Sequence, residues 1–281
     1  MNDLSSRSPL RVVVTGISGR MGTMNAKTLL SSPSEFVLAG ALDRSGAPSI
    51  GHDAGDVLGT GRLNIAVQSD LSELLRGAGR ADVVIDFTHH EASMKHAADC
   101  AEMKTPIVIG TTGFSGEEIA ELKRISVIIP ILLAPNMSVG VVVMQKLIRQ
   151  AAKILGEDYD IEILEAHHRH KKDAPSGTAL KLGAIAAEAL GKNPGDVLKM
   201  SRVGFTGERT QEEIGIQSLR GGDCVGEHTA FFFGTGERLE ITHRAFSREQ
   251  FSRGALRAAR WLTGRPAGLY SMEDVLDLAD H

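Results

Sequence analysis

The stretch Leu10-Arg11-Val12-Val13-Val14-Thr15-Gly16-Ile17-Ser18-Gly19-Arg20-Met21-Gly22 decides the fold. A short apolar, β-branched run reads as a buried strand, and it ends in glycines just where a helical pattern begins at Met21. Gly16 permits a tight turn, Gly19 a close approach of the backbone, and Gly22 close packing of helix on sheet. Free backbone N–H groups and a helix N-terminus would then meet at one point, which suits a pyrophosphate. The spacing is Gly-x-x-Gly-x-x-Gly rather than Gly-x-Gly-x-x-Gly. A glycine-rich loop that merely turns the chain is therefore the competing reading.

Outward from this turn the chain alternates strand and helix patterns. Strands are expected at Phe36–Leu42, Val83–Phe87, Ile107–Gly110 and Val127–Leu133, with helices over Met21–Leu30 and Glu91–Lys104. Ser115-Gly116-Glu117-Glu118 has the spacing of a capping box and should open another helix. Residues 45–63 give no periodic signal and read as a loop. This order implies an α/β, Rossmann-type doubly wound parallel sheet. After Pro135 the pattern changes to a long helix over Ser138–Leu155, a strand over Tyr159–Ala166 and a helix over Ser176–Leu190 closed by Gly191. Three strand-like runs follow, Glu213–Leu219, His228–Phe233 and Arg238–His243, the last two joined by the turn Gly234-Thr235-Gly236-Glu237. They imply a second α+β domain with a mixed, largely open sheet, for which self-association is the simplest cover.

In α/β sheets ligands bind outside the carboxyl ends of strands. Asp43, 21 residues after Gly22, stands at such an end and could accept bonds from an adenosine ribose. The adjacent Arg44 could instead grip a 2′-phosphate, so the pair predicts tolerance of NADH and NADPH; a solvated Asp–Arg pair is the rival reading. Gly110-Thr111-Thr112-Gly113 and Ala134-Pro135-Asn136-Met137 occupy two more strand ends and extend the same crevice.

Proton chemistry points elsewhere. In Glu165-Ala166-His167-His168-Arg169-His170-Lys171-Lys172-Asp173-Ala174-Pro175-Ser176-Gly177-Thr178, the six residues 167–172 are all basic or imidazole. Such a cluster would neutralise a dianionic substrate, and histidine exchanges protons near neutral pH. The helix start at Ser176-Gly177-Thr178 would hold a carboxylate. A metal site built on His167, His168 and His170, with Glu165 or Asp173 to complete it, lacks a convincing ligand set, so no metal is expected; a solvated basic loop is the bland alternative. His89, His90 and His96 read as capping or solvent-facing, His228 and His243 as satisfied structural residues, and Met21, Met24, Met137 and Met144 as core packing.

Bulk properties narrow the partners. The chain has 281 residues, 42% hydrophobic and 23% charged, with a net charge of −4, so no overall electrostatic footprint for nucleic acid is present. The polar start Met1–Pro9 lacks the apolar core of an export signal, and the longest apolar run, Ile125–Pro135, is too short to span a membrane. Two distant cysteines, Cys100 and Cys224, suit a reducing, cytoplasmic setting.

The stretch Glu165–Ala179 resembles the signature of the dihydrodipicolinate reductase family. Further similarities run along nearly the whole chain: Gly19-Arg20-Met21-Gly22, Asp86-Phe87-Thr88, Gly110–Phe114, Ala134–Gly140, Gly222–His228 and Gly236–His243. The resemblance implies a dinucleotide domain from residues 1–137 and 247–281, and a substrate-binding and oligomerisation domain, residues 138–246, that builds a homotetramer. It implies NADH- or NADPH-dependent reduction of a small cyclic dicarboxylate, 4-hydroxy-tetrahydrodipicolinate or dihydrodipicolinate, on the diaminopimelate route to lysine. Hydride goes to C4 and the enamine is then protonated. By the same resemblance His167 and Lys171 are the proton-handling pair, and His168, Ser176, Gly177 and Thr178 contact the substrate. Gly16, Ile17, Ser18, Gly19, Arg20, Met21, Asp43, Arg44, Gly110, Thr111, Thr112, Ala134, Pro135, Asn136 and Met137 contact the cofactor. Two departures stand out: Asp43 replaces the longer Glu of some members, and His89 stands where some carry Arg. A related dehydrogenase acting on another small dicarboxylate or imine, and a non-catalytic NADP sensor, remain the alternatives.

Overall fold

The structure is a computed structural model that describes residues 8–77 and 81–278. Most of the polar start, on which the absence of an export signal was expected, lies outside the described residues, as do the outermost ends of the expected first domain. The chain divides into two compact units, residues 1–138 with 249–281, and residues 139–248. Its strands in chain order are β1 (Leu10–Thr15), β2 (Phe36–Leu42), β3 (Val67–Gln68), β4 (Val83–Asp86), β5 (Ile107–Ile109) and β6 (Pro130–Leu133), followed by β7 (Asp160–His167), β8 (Leu198–Lys199), β9 (Ile214–Arg220), β10 (Gly226–Gly234), β11 (Glu237–Ala245) and β12 (Gly268–Tyr270).

The first unit holds a seven-stranded sheet in the order β12-β6-β5-β4-β1-β2-β3, with every neighbouring pair parallel. Six of its strands follow the doubly wound order, which reverses at β1 and leaves a crevice at the carboxyl ends of β1 and β4. The central strands are buried on both faces, Val12, Val13, Val14, Val83, Val84 and Ile85 among them. That explains why they read as continuous apolar runs without alternation. Ser115 caps the helix Gly116–Ile125 through both bonds of the expected capping box.

Three expectations for this unit need correction. The strand expected from Val127 begins only at Pro130: the preceding helix ends in a turn, where Ile128 N–H donates to Ile125 C=O, and Val127 and Ile128 face solvent. Residues 45–63 contain a short helix, Ala54–Leu58, capped by Asp53, whose carboxylate also takes the Leu63 and Ile65 N–H groups. His96 faces neither solvent nor a cap. Its Nδ1 lies 2.9 Å from the fully buried Asp86 carboxylate at the end of β4.

The second unit has a five-stranded mixed sheet, β11-β10-β7-β9-β8. β10 pairs antiparallel with β7 and β11, while β7, β8 and β9 run parallel. Along β7 the alternation is strict: Ile161, Ile163 and Glu165 are buried, and Asp160, Glu162 and Leu164 are not. The buried face packs with Ile214, Ile216, Ala230 and Phe232 against the helices Val139–Leu155 and Gly177–Ala189 through Met144, Ile148, Leu182 and Ile185. Glu165 therefore occupies a core position in a run of apolar ones. β10 and β11 form a hairpin turning at Thr235-Gly236, where Gly236 takes a φ of 82°.

Candidate active site

The first unit builds a nucleotide crevice from backbone. Gly16 adopts a φ of 61°, and the helix Arg20–Leu30 starts at Gly19. A Cβ on Gly22 would lie 1.9 Å from the Gly16 carbonyl oxygen, so only glycine lets helix and turn meet. Ile17 is fully buried and its N–H donates to Leu42 C=O, which ties the turn to β2; Arg20 is exposed and Met21 half-buried. A cleft of about 500 Å³ opens here, lined by Gly16, Ser18, Gly19, Asp43, Arg44 and Thr88. Burial alone would push the Asp43 carboxyl up. Hydrogen bonds from Ser18, Ser49 and the Arg44 N–H outweigh it and hold the group below its usual range. Arg44 itself is exposed at the cleft.

The other two expected strand ends fall on β5 and β6. Gly110 follows β5, and a Cβ there would run into the Phe87 ring at 2.2 Å. Thr111 accepts from the Thr88 N–H and from Ser93, and Thr112 beside it is exposed. Ala134 N–H donates to Ile109 C=O, Pro135 is exposed, Asn136 caps Ser138 N–H, and Met137 is buried against Gly254. All these residues lie at carboxyl ends of one sheet, and the turn at Gly16–Gly22 fits the diphosphate of a nicotinamide dinucleotide.

The second unit gathers the histidine-rich stretch at the end of β7. His167 is its last residue, with its side chain mostly buried. His167 Nδ1 lies 2.5 Å from Glu165 Oε2, while Nε2 has no hydrogen-bond partner among the described residues. A Cβ on Gly226 would come within 3.0 Å of that Nε2, so the glycine of β10 keeps it open. Burial pushes the His167 imidazole below its usual range, and the charges of Lys171 and Arg220 add to this against the pull of Glu165. Lys171 Nζ is bonded to both carboxylate oxygens of Asp173 at 2.9 and 2.8 Å. Gly177 is exposed at the start of its helix, with Thr178 half-buried beside it. Ser176 is the helix cap: its buried hydroxyl takes the Ala179 N–H and lies 3.1 Å from His228 Nε2, so it is committed within the protein. His168 Nε2 lies 3.4 Å from Arg248. Among the described residues no group of three or more His, Cys, Asp or Glu side chains forms a metal-ligating set.

Comparison with known proteins decides the family. Residues 10–137 match the family described as dihydrodipicolinate reductase, N-terminus, and residues 140–276 its C-terminus. The chain belongs to the dihydrodipicolinate reductase family. The 4-hydroxy-tetrahydrodipicolinate reductase of Anaeromyxobacter dehalogenans is 56% identical over 95% of this chain and 98% of its own. That of Syntrophus aciditrophicus is 52% identical over 95% and 98%. Among solved structures, the dipicolinate-bound dihydrodipicolinate reductase of a Paenisporosarcina species superposes with a TM-score of 0.75 at 25% identity, covering 94% of this chain and 97% of that one. An amine dehydrogenase from Mycobacterium smegmatis, at 17% identity and a TM-score of 0.58, shares the fold. As a dihydrodipicolinate reductase family member the chain is an oxidoreductase that uses NADH or NADPH.

Within this family member, sequence reading misses the roles of three residues that surround His167. Glu165 reads only as a metal-ligand candidate, although a lone acid in the apolar alternation of β7 is a signal. Arg220 closes β9 and forks onto Glu165 at 2.8 Å with both terminal nitrogens. His228, expected to be satisfied, pairs in register with Glu165, and its ring meets that of His167 edge-on at 5.2 Å. Its Nδ1 is buried without a hydrogen-bond partner among the described residues, and burial, followed by the neighbouring His167 charge, pushes the imidazole down to about 4.

Proposed function

We propose that the chain catalyses NADH- or NADPH-dependent reduction of 4-hydroxy-tetrahydrodipicolinate, by way of dihydrodipicolinate, to tetrahydrodipicolinate on the diaminopimelate route to lysine. The observation that carries the reading is a mostly buried imidazole, His167, whose Nε2 has no hydrogen-bond partner among the described residues, in a chain that matches this family over residues 10–137 and 140–276. Gly16–Met21, Asp43, Arg44, Gly110–Thr112 and Ala134–Met137 hold the cofactor, which when bound supplies a hydride to C4 of the substrate ring. The resulting enamine needs a proton on the neighbouring carbon. His167 Nε2 and Lys171 Nζ are the groups assigned to deliver it. The backbone N–H groups at Gly177 and Thr178, at the positive end of a 13-residue helix, grip one substrate carboxylate, and His168 contacts the dicarboxylate beside them. Ser176 contributes by capping that helix.

Asp43 accepts three hydrogen bonds, only one of them on Oδ1, and so keeps acceptor capacity for a ribose hydroxyl, while Arg44 is exposed at the cleft; this supports use of both cofactors with Arg44 favouring the 2′-phosphate. The enzyme works in the cytoplasm as a homotetramer, assembled through the sheet of its second unit. Steady-state turnover of freshly prepared substrate tests the assignment. His167→Gln and Lys171→Ala should each lower kcat by about a hundredfold or more while leaving NADPH affinity within a few fold. Arg44→Ala should raise KM for NADPH and not for NADH. Turnover unchanged in both His167→Gln and Lys171→Ala would remove the roles; a parent protein that binds NADPH and turns nothing over would instead be a sensor.

A further inference from the structure

We propose that Glu165 and Arg220 act as a positioning pair for His167, fixing the ring so that Nδ1 points at the carboxylate and Nε2 alone is left to exchange a proton with the substrate. The inference rests on the assignment of His167 to proton transfer.

Glu165 is completely buried, and its two oxygens are fully subscribed. Oε1 accepts from Arg220 Nη2 at 2.8 Å and from the Ser176 N–H at 3.1 Å; Oε2 accepts from Arg220 Nη1 at 2.8 Å and faces His167 Nδ1 at 2.5 Å. Arg220 is anchored in turn by the carbonyls of Leu219 and Asp173. Burial would push the Glu165 carboxyl up, yet the hydrogen bonds from Arg220, Ser218 and His167 hold it at about 2. An ionised carboxylate only accepts, so Nδ1 carries a hydrogen in this bond and Nε2 is the nitrogen that titrates.

The pairing with Arg220 gives the carboxylate its use. A buried glutamate alone would orient the imidazole but would also trap its proton, because an adjacent negative charge favours the charged ring. Arg220, bonded to both carboxylate oxygens, offsets part of that charge at the ring, and Lys171 opposes it from the loop after β7. The carboxylate thus orients without retaining, and the proton on Nε2 can leave for the substrate. The other groups facing His167 are Lys171, with its partner Asp173, from the loop after β7, and His228 from β10. His228, packed beside His243 of β11, is held neutral by burial and does not compete for the proton.

Ring-nitrogen shifts of 15N-histidine-labelled protein, followed against pH, test this without any turnover, and the His167→Gln spectrum identifies the signal. The parent should show the Nδ1–H tautomer. Glu165→Gln should give a mixture of tautomers and move the His167 titration down by about one pH unit, a tenfold change in protonated fraction. Arg220→Met should move it up by a smaller amount, and Arg220→Lys should restore the parent value by returning the charge. The limb of the kcat profile on which His167 loses its proton should move with the same opposite signs. Shifts of one sign for Glu165→Gln and Arg220→Met, or no change in tautomer and titration, overturn the proposal. If Glu165→Gln does not fold, as circular dichroism would show, the contrast of Arg220→Met with Arg220→Lys decides, and identical behaviour of the two overturns it. If the shifts appear but His167→Gln keeps full turnover, the positioning stands and the assignment of His167 to chemistry falls.

Discussion

Glu165 and His228 sit opposite one another on paired strands, and each keeps its charge state against what an unfolded chain would prefer. Glu165 stays ionised down to about pH 2 rather than 4.5, and His228 stays neutral down to about pH 4 rather than 6.5. In both cases the unfolded chain binds the proton more readily, so the stability present at neutral pH is lost as pH falls. The loss due to His228 runs between 6.5 and 4, and that due to Glu165 between 4.5 and 2. His228→Asn should therefore flatten the decline of Tm between pH 6.5 and 4 and leave the steep fall below it. Calorimetry across that range reads this, and a parallel decline would refute it. The basic cluster of residues 167–172 is legible in the chain because six basic or imidazole residues stand side by side, while only the family resemblance singles out His167, His168 and Lys171 within it. Arg220 and His228 are not legible, because they come from strands more than 50 residues away. Only register brings them beside Glu165, and nothing local in their own segments announces it.

At the scale of elements, the helix Arg20–Leu30 is docked onto the turn before it through Gly22, whose added Cβ would meet backbone rather than a movable side chain. Gly22→Ala should destabilise the first unit by about 2–3 kcal/mol and raise KM for either cofactor at least about tenfold, because the turn must shift to admit the methyl. Gly116, also in the first turn of a helix but with nothing within 4 Å of an added Cβ, is the control: Gly116→Ala should leave both unchanged. Denaturant melts with cofactor titrations separate the two. Elements with a complete local code are legible, such as the strand Leu10–Thr15, the capping box at Ser115 and the hairpin at Thr235-Gly236. The apolar run 125–133 misleads because it holds a helix end, a turn and a strand under one composition, and Pro130 marks where the strand begins. The two-residue β3 and the three-residue β12 carry too few side chains for any periodicity to show; they exist because a neighbouring strand already offers its edge.

For the whole molecule, the second unit covers one face of its sheet with two helices, and the other face carries Leu219, Phe231 and Phe233. The two phenylalanine rings stack at 5.6 Å with Arg238 over both. An apolar surface framed by charge fits the proposed self-association through this sheet. Sedimentation equilibrium should give four copies of the 30.0 kDa chain, and Leu219→Asp with Phe231→Asp should reduce the mass; a parent that sediments as one copy rules out the tetramer.

The first unit is also assembled out of order. β12, from residues 268–270, pairs with β6, from residues 130–133, so the sheet of the dinucleotide unit receives its last strand after the entire second unit has been made. At a synthesis rate of roughly 5–20 residues per second, the nascent chain leaves the outer edge of β6 bare for about 7–27 s. In the same interval the sheet lacks the helix Glu249–Leu262, which belongs to the first unit, and an unpaired strand edge is a template for a second nascent chain. Ribosomes clustered on one message are exposed to such pairing throughout this interval, and delivery of β12 to β6 is the step that ends it.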